Sequence, residues 1–483
     1  MSTRDEQLRK DAQEAVEKHK ELVQKDPYRL NYHIMPPVGL LNDPNGFIQW
    51  KGIYHMFYQW MPFHTGHGAK FWGHYTSNDL VHWQEERTAL TPSEWYEKNG
   101  CYSGSAIAHN DQLYLFYTGN VKDEKGERES YQVMATSKDG IHFEKQGVVV
   151  QLPEGYTAHF RDPKVWQQNG KWYMVVGTQN HQQQGRVAIL QSDNLTDWKH
   201  LGDVTGAHTK QLDAFGYMWE CPDLFHLDGK EVLVVSPQGL QKEGDKYENV
   251  YQSGYFVGDV DYSTGEMQHG AFHELDQGFE FYAPQTTEDE HGRRILVGWM
   301  GVPDQNEEAH PTVQYKWIHT LTLPRVLTLK EEKLYQNPVE ELSSLRGKET
   351  IHQQVRIQTQ EISLQDVEGD SMELYVQLHS VEADVVEIQF RNHARLIYRP
   401  STGKLTLERK SFVDYQTESR SCTLQNLSTL RIFMDTSSLE IFVNNGEEVF
   451  TSRMYPYEEN NSVIFGTNGT VLMDVHKWDM GKM

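Results

Sequence analysis

Ser77-Asn-Asp-Leu-Val-His-Trp83 returns as Ser137-Lys-Asp-Gly-Ile-His-Phe143, and again as Ser192-Asp-Asn-Leu-Thr-Asp-Trp198. The copies stand 60 and then 55 residues apart. Each follows a short run rich in β-branched and aromatic residues. Such runs recur along the chain: Tyr54–Tyr58, Leu113–Tyr117, Trp172–Val176, Val232–Val235 and Ile295–Trp299. Gly, Asn, Asp or Lys-Gly lies near them, as expected of strands closed by tight turns. A second ladder runs through Asp43, Ser103, Asp162, Glu220 and Tyr282, with steps of 60, 59, 58 and 62 residues. A four-stranded propeller blade needs about 40–50 residues, and more with long loops. Five blades are therefore expected, and the strand patterning argues against a helical solenoid. In a propeller, equivalent positions on the innermost strands face the axial funnel. The second ladder would then gather Asp43, Asp162 and Glu220 although they are far apart in sequence.

The flanks read differently. Thr3 to about Lys25 is expected to be a helix, with a capping-box pattern at Thr3 and Glu6 and an apolar stripe through Leu8, Ala12, Ala15, Val16, Leu22 and Val23. Packing on the body of the protein is its expected role. Beyond Asn337-Pro338 come short alternating segments such as Glu373–Leu378, Val386–Phe390, Lys404–Leu407, Leu430–Met434 and Leu439–Val443, and then the turn signal Asn444-Asn445-Gly446. This tail has the scale of a β-sandwich. The class is all-β: a helical extension over residues 1–30, a five-bladed β-propeller over 31–335 and a β-sandwich over 345–483. Two such domains suit the 483 residues.

Composition narrows the function. The net charge of -24 argues against nucleic acid and against an anionic membrane surface. A mean hydropathy of -0.69 and the absence of a long apolar run give no membrane span. Cys101, Cys221 and Cys422 are scattered and odd in number, with no disulfide framework or CxxC pattern. Free thiols and the polar opening MSTRDEQLRK lead to the expectation of a cytoplasmic protein without a signal peptide. No nucleotide fingerprint is present. His64 and His67 are spaced like a ligand pair, with His74 near, but a zinc site needs a fuller set. Loop histidines in ordinary hydrogen bonds are the simpler reading, so neither metal nor cofactor is expected. A monomer is the default assembly.

Three acidic motifs carry the chemistry: Leu41-Asn42-Asp43-Pro44-Asn45-Gly46, Phe160-Arg161-Asp162-Pro163 and Trp219-Glu220-Cys221-Pro222-Asp223. Any one of them alone is better read as a turn. Three at near-equal intervals point instead to a shared axis. Glycosidic cleavage needs two carboxyl groups in different protonation states, one to donate a proton and one to attack or activate water. A cation nearby separates their pKa values, and Arg161, next to Asp162, is expected to hold that aspartate ionised. Cys221 reads as a thiol tucked behind the acid/base rather than as a nucleophile.

These motifs resemble the three signatures of glycoside hydrolase family 32, the invertase or β-fructofuranosidase family. Further matching pieces follow in order: Phe57-Tyr58-Gln59, Trp72-Gly73-His74, Ser103-Gly104-Ser105, Phe116-Tyr117-Thr118-Gly119, Phe281-Tyr282-Ala283-Pro284-Gln285 and Gly298-Trp299-Met300. Asp435 to Val443 is similar to the family's sandwich motif. The likeness covers nearly everything after Tyr32, and the family fold agrees with the repeat count.

The resemblance implies a sugar substrate and a retaining hydrolase of sucrose 6-phosphate, sucrose or both. Asp43 would be the nucleophile and Glu220 the acid/base, with Asp162 holding fructosyl hydroxyls and stabilising the transition state. Leu41, Asn42, Gln59, Trp72, Tyr102, Ser103, Arg161, Tyr282 and Trp299 would bind substrate. A retaining pair has carboxyls roughly 5–5.5 Å apart. The chain departs from the family pattern at Leu40-Leu41, at His67-Gly68 and at Tyr102, all on the pocket wall and not at the acids. The alternatives are a fructan-degrading exo-hydrolase, a carbohydrate-binding propeller without turnover and an inverting propeller glycosidase acting on arabinose polymers.

Overall fold

The computed structural model describes residues 3–209, 212–456 and 460–483. Five sheets, each opened by an innermost strand, follow one another along the chain: Gly39–Trp50, Cys101–His109, Tyr156–Gln168, Met218–Leu227 and Tyr282–Glu288. Consecutive strands pair antiparallel outward from each, as a propeller blade requires. The ring closes through Trp317–Ile318, which pairs parallel with Gly39 and Leu40 of the first blade.

The repeated Ser77, Ser137 and Ser192 segments are the turns after the third strand of blades one to three. The serine hydroxyl bonds the Asp79, Asp139 or Asn194 side chain, whose Oδ1 accepts backbone N–H groups further round the turn. This is the Asx-turn chemistry that favours these residues. Leu80 and Leu195 take φ of 64° and 70° there, and Gly140 takes 78°. In the first and third copies the aromatic at the repeat's end returns a bond. Trp83 Nε1 donates to Leu80 O, and Trp198 Nε1 donates to Leu195 O, each at 2.9 Å.

The helix runs from Thr3 to Gln24 and lies on the first blade. Ala12 and Val23 are buried, and Leu8 and Val16 pack partly against the same core. Arg9 donates to the carbonyls of Thr88 and Ala89, and Thr91 Oγ1 donates to Asp5 at 2.5 Å. Leu22, expected in the stripe, faces solvent. Residues 1 and 2 of the expected extension lie outside the described residues. Beyond the helix, Asp26 accepts from Trp317 Nε1 at 2.6 Å and so anchors the closing strand.

After the last propeller strand, Lys333–Pro338, ten strands from Arg346 to Met480 fold over one core as a sandwich. Ser462–Met480 serves both layers, pairing with Val386–Phe390 at one end and with Met372–Glu382 at the other. Asn444, Asn445 and Gly446 all have positive φ and turn Ser438–Val443 into Glu448–Arg453.

A dry seam of charge joins the two bodies. His33 bridges Asp435 at 2.9 Å and Glu440 at 3.1 Å. Arg325, with no exposed surface, binds Asp276 at 3.0 Å and Glu440 at 2.8 Å. Arg409 of the sandwich pairs with Glu280 of the propeller at 2.6 Å. Desolvation disfavours the His33 cation, but its two carboxylates outweigh it and hold the imidazolium to about 9.

Candidate active site

Every innermost strand carries a β-bulge at the same rung. In the first blade Asn42 and Asp43 stand between Leu41 and Pro44, which pair with Trp60 and Tyr58, so two residues face one. Tyr102 and Ser103, Asp162 and Pro163, Cys221 and Pro222, and Ala283 and Pro284 repeat this in the other four blades. A bulge bends the strand and re-aims its side chains, and it tolerates proline. Asp162, Cys221 and Ala283 have φ of 68°, 47° and 47°, a left-handed conformation that non-glycine residues adopt seldom. Asp43, Ser103 and Asp162 lie in these bulges, Glu220 and Tyr282 directly precede theirs, and all five line one funnel of about 500 Å³. Hydrogen bonds stitch the strands behind it: Asp162 N donates to Thr118 Oγ1 at 2.9 Å, Thr286 N to Asp223 at 2.7 Å, and Gln285 Nε2 to Gly104 O at 2.8 Å.

Asp43 accepts from Ser103 Oγ at 2.5 Å and from Asn42 Nδ2 at 3.1 Å. Glu220 accepts from Arg161 at 2.6 and 2.9 Å, from Tyr282 OH at 2.6 Å and from Gln238 Nε2 at 3.0 Å. Asp162 accepts from the Cys221 backbone N–H at 3.0 Å. The Cys221 thiol lies between the two aspartates, at 3.5 Å from Asp43 and 3.6 Å from Asp162. Burial pushes this thiol well up, and the neighbouring carboxylates add to the effect, so it stays protonated. It therefore sits between the aspartates rather than simply behind Glu220.

The three acids differ in charge. Burial raises Asp43 above the usual range, and the Glu220 charge adds to this against the Ser103 and Asn42 hydrogen bonds. Burial also pushes Glu220 up, but Arg161 and Tyr282 outweigh it and leave Glu220 below its ordinary value. Asp162 rises to about 7, because burial and the charges of Glu220 and Asp43 exceed what Arg161 returns. The expected Arg161–Asp162 partnership is thus corrected. The bulge begins at Asp162, and the Arg161 guanidinium crosses to Glu220 in the next blade. Burial thus favours the neutral form of the two aspartates, while Arg161 and Tyr282 favour the anion of Glu220.

Asn42, Gln59, Tyr102, Ser103, Arg161, Tyr282 and Trp299 line the same cavity as the three acids. Leu41 and Trp72 do not, and both are fully buried. Leu41 packs in the core cluster beneath the first blade. Trp72 sits behind the wall and donates from Nε1 to Tyr102 O at 3.0 Å, so it acts on the cavity through the Tyr102 backbone. The histidines diverge. His67 bonds Glu307 at 3.0 Å and Lys70 at 2.9 Å, while His74 stacks on Phe57.

The structure adds residues that the sequence did not single out. Lys70 is buried and donates to Asn42 Oδ1 at 2.8 Å, and burial drops its ammonium to about 7 against the pull of Asp43 and Glu307. Glu307 links His67 to His319. Gln238 reaches Glu220 from the adjacent strand, where Met218 pairs with it. Asn99, Asn120, Lys122 and Arg128 form the second-blade wall. None of them lies on the ladder or beside an acidic motif, so the spacing carried no signal for them.

Against known proteins, residues 33–338 match the N-terminal domain of glycosyl hydrolases family 32, and residues 341–479 match that family's C-terminal domain. The chain is 54% identical over 481 residues to the sucrose-6-phosphate hydrolase of Bacillus subtilis, covering 99% of this chain and 100% of that protein. It is similar to the solved structure of sucrose-6-phosphate hydrolase from Lactobacillus gasseri, with a TM-score of 0.88 and 32% identity over 97% of this chain and 96% of that one. A Bombyx mori family 32 beta-fructofuranosidase, solved as a mutant in complex with sucrose, aligns with a TM-score of 0.85 and 33% identity over 98% of both chains. Fructan 1-exohydrolase of Cichorium intybus, at 22% identity, shares the fold. Five bulged strands bearing the three acids and both matched domains lead to one conclusion: this chain belongs to glycoside hydrolase family 32.

Proposed function

We propose that this glycoside hydrolase removes the β-fructosyl unit of sucrose 6-phosphate, of sucrose, or of both, with retention. The observation that carries the proposal is the convergence of Asp43, Asp162 and Glu220 on one funnel with a single arginine bound to one of them. Asp43, oriented by Ser103 and Asn42, attacks the anomeric carbon. Glu220 protonates the departing glucosyl oxygen and then deprotonates the incoming water. Asp162 holds the fructosyl hydroxyls and stabilises the oxocarbenium-like transition state.

The resting charges give substrate a part in this scheme. Glu220 cannot donate while Arg161 keeps it ionised. Sugar hydroxyls that draw Arg161 away raise the proton affinity of Glu220 and leave Asp43 and Asp162 as the anions. Binding thereby raises the proton affinity of the group that must donate. The Bacillus and Lactobacillus relatives support the phosphorylated substrate, and the fructan-degrading relative supports the fold alone. A carbohydrate-binding propeller without turnover does not fit a member of this hydrolase family that keeps all three acids. A cytoplasmic location belongs to the same proposal, and the free Cys101 and Cys422, both buried, suit a reducing compartment. Division of labour between propeller and sandwich at residues 335–345 completes it.

The test is fructose release from sucrose 6-phosphate and from sucrose by purified protein, with Glu220→Gln as control. Release that is lost in the variant is the expected result. No release from either sugar, with turnover of a fructan, contradicts the proposal.

A further inference from the structure

Five basic side chains line the funnel: His67, Lys70, Lys122, Arg128 and Arg161. Three are committed. Arg161 holds Glu220, Lys70 holds Asn42 and His67, and His67 holds Glu307. Lys122 and Arg128 are different. Lys122 ends the strand Gln112–Lys122, Arg128 begins Arg128–Ser137, and the two are direct partners across the second-blade hairpin. Directly paired residues share a face, and like charges so placed repel. Among the described residues neither forms an ion pair with a carboxylate, in a chain of net charge -24. The hairpin's own Asp123 is spent on the turn, where its Oδ1 accepts from the backbone N–H of Lys125 and of Glu127.

The wall beside them is polar. The Arg128 guanidinium lies 5.8 Å from the centroid of the Tyr102 ring, and Tyr102 is the residue of the second-blade bulge that departs from the family pattern. Asn120 is 1% exposed, lines the same wall, and its Oδ1 has no hydrogen-bond partner among the described residues. Such a buried acceptor calls for a donor.

We propose that Lys122 and Arg128 form a clamp for the phosphate of a phosphorylated leaving-group sugar, with Tyr102 and Asn120 taking its hydroxyls. The inference rests on the fructosidase reading above and adds the groups that select the substrate. A phosphate ester entering a funnel of three acids meets repulsion unless cations face it. Arg128 offers the planar fork that binds phosphate oxygens in pairs, and Lys122 offers a mobile point charge. Their mutual repulsion is relieved when the dianion arrives between them, so the pair is worth more to a phosphorylated sugar than to a neutral one.

The experiment has two arms. In the first, Arg128→Gln, Lys122→Gln and the double variant are compared with wild type in kcat/KM for sucrose 6-phosphate and for sucrose. The expected result is a fall in the ratio of the two by tenfold or more for Arg128→Gln, less for Lys122→Gln and most for the double variant, carried by KM. A ratio that stays constant overturns the clamp. The second arm needs no turnover: glucose 6-phosphate and glucose are titrated into wild type and the double variant by calorimetry. Tighter binding of the phosphate by wild type, lost in the variant, is expected. Equal binding of both sugars by wild type overturns the clamp. Phosphate-selective binding without hydrolysis of either disaccharide keeps the clamp and contradicts the fructosidase reading instead.

Discussion

Two regions of this molecule bury charge, and they solve the problem in opposite ways. At the seam between propeller and sandwich every carboxylate meets a cation: Asp435 and Glu440 meet His33, Glu440 and Asp276 meet Arg325, and Glu280 meets Arg409. In the funnel, among the described residues, only Glu220 has a cation bound directly to it, Arg161, and burial raises Asp43 and Asp162 above their ordinary range. The seam holds two domains in one relation. The funnel leaves two of its three acids without a directly bound cation, where the proposed substrate would meet them. Buried charge serves stability where it is matched and chemistry where it is not.

Glu220→Gln makes the sharpest cut between the two. It removes the proposed proton donor, so kcat should fall by about 10²- to 10⁴-fold. The amide oxygen left at position 220 still accepts from Arg161, and the thermal midpoint should stay near that of wild type. Steady-state kinetics and a melting curve on one preparation read both. Arg325→Met is the converse. It strands Asp276 and one oxygen of Glu440 in a dry interior, and breaking such a pair costs about 3–5 kcal/mol. Denaturant unfolding of the full chain should show the loss, while turnover below the transition stays close to wild type. A loss of activity without a loss of stability in Arg325→Met would mean that the seam does not serve stability alone.

Stability against pH separates the regions more finely. Asp162 titrates near 7 in the fold and at about 3.9 in an unfolded chain. Its contribution is present below about 3.9 and is lost as pH rises through 7. Asp162→Asn should therefore gain on wild type in midpoint from pH 4 to 7, with no further gain above that. His33 titrates near 9 in the fold and at about 6.5 unfolded. Its contribution is full below about 6.5 and is lost as pH rises through 9. His33→Gln should lower the midpoint at pH 6 and flatten the decline between 6.5 and 9. Melting curves over that range distinguish the two slopes. The smallest effect belongs to a residue in neither region. Leu22→Ala, on the exposed face of the helix, should change stability by no more than about 0.5 kcal/mol.

How far the sequence revealed these regions follows from the range of each interaction. The Ser-x-Asp or Ser-x-Asn turn is local, so its three copies expose the blades, and the ladder of Asp43, Ser103, Asp162, Glu220 and Tyr282 exposes the axis. The bulges left only proline beside the acids as a trace, which marks a break in pairing without saying where the neighbouring side chain goes. Arg161 was therefore placed with the adjacent Asp162 when it belongs to Glu220, 59 residues on. Leu41 and Trp72 sit in binding motifs but are turned into the core. The seam was illegible, since His33 and Asp435 are 402 positions apart with no repeat to relate them. The closing strand Trp317–Ile318 is two residues long, too short to leave a pattern.

In the proposed mechanism Asp43 is the nucleophile and the reaction passes through a fructosyl-enzyme. The direct measurement is to mix Glu220→Gln enzyme with a fructoside bearing a good leaving group, quench in acid and map the peptides by mass spectrometry. Departure then needs no proton, while attack by water is slowed, so the intermediate accumulates. One hexosyl adduct is expected, on the peptide containing Asp43, and it should be absent when Asp43→Asn is added. An adduct on another residue, or none together with first-formed fructose of inverted configuration, would contradict this mechanism.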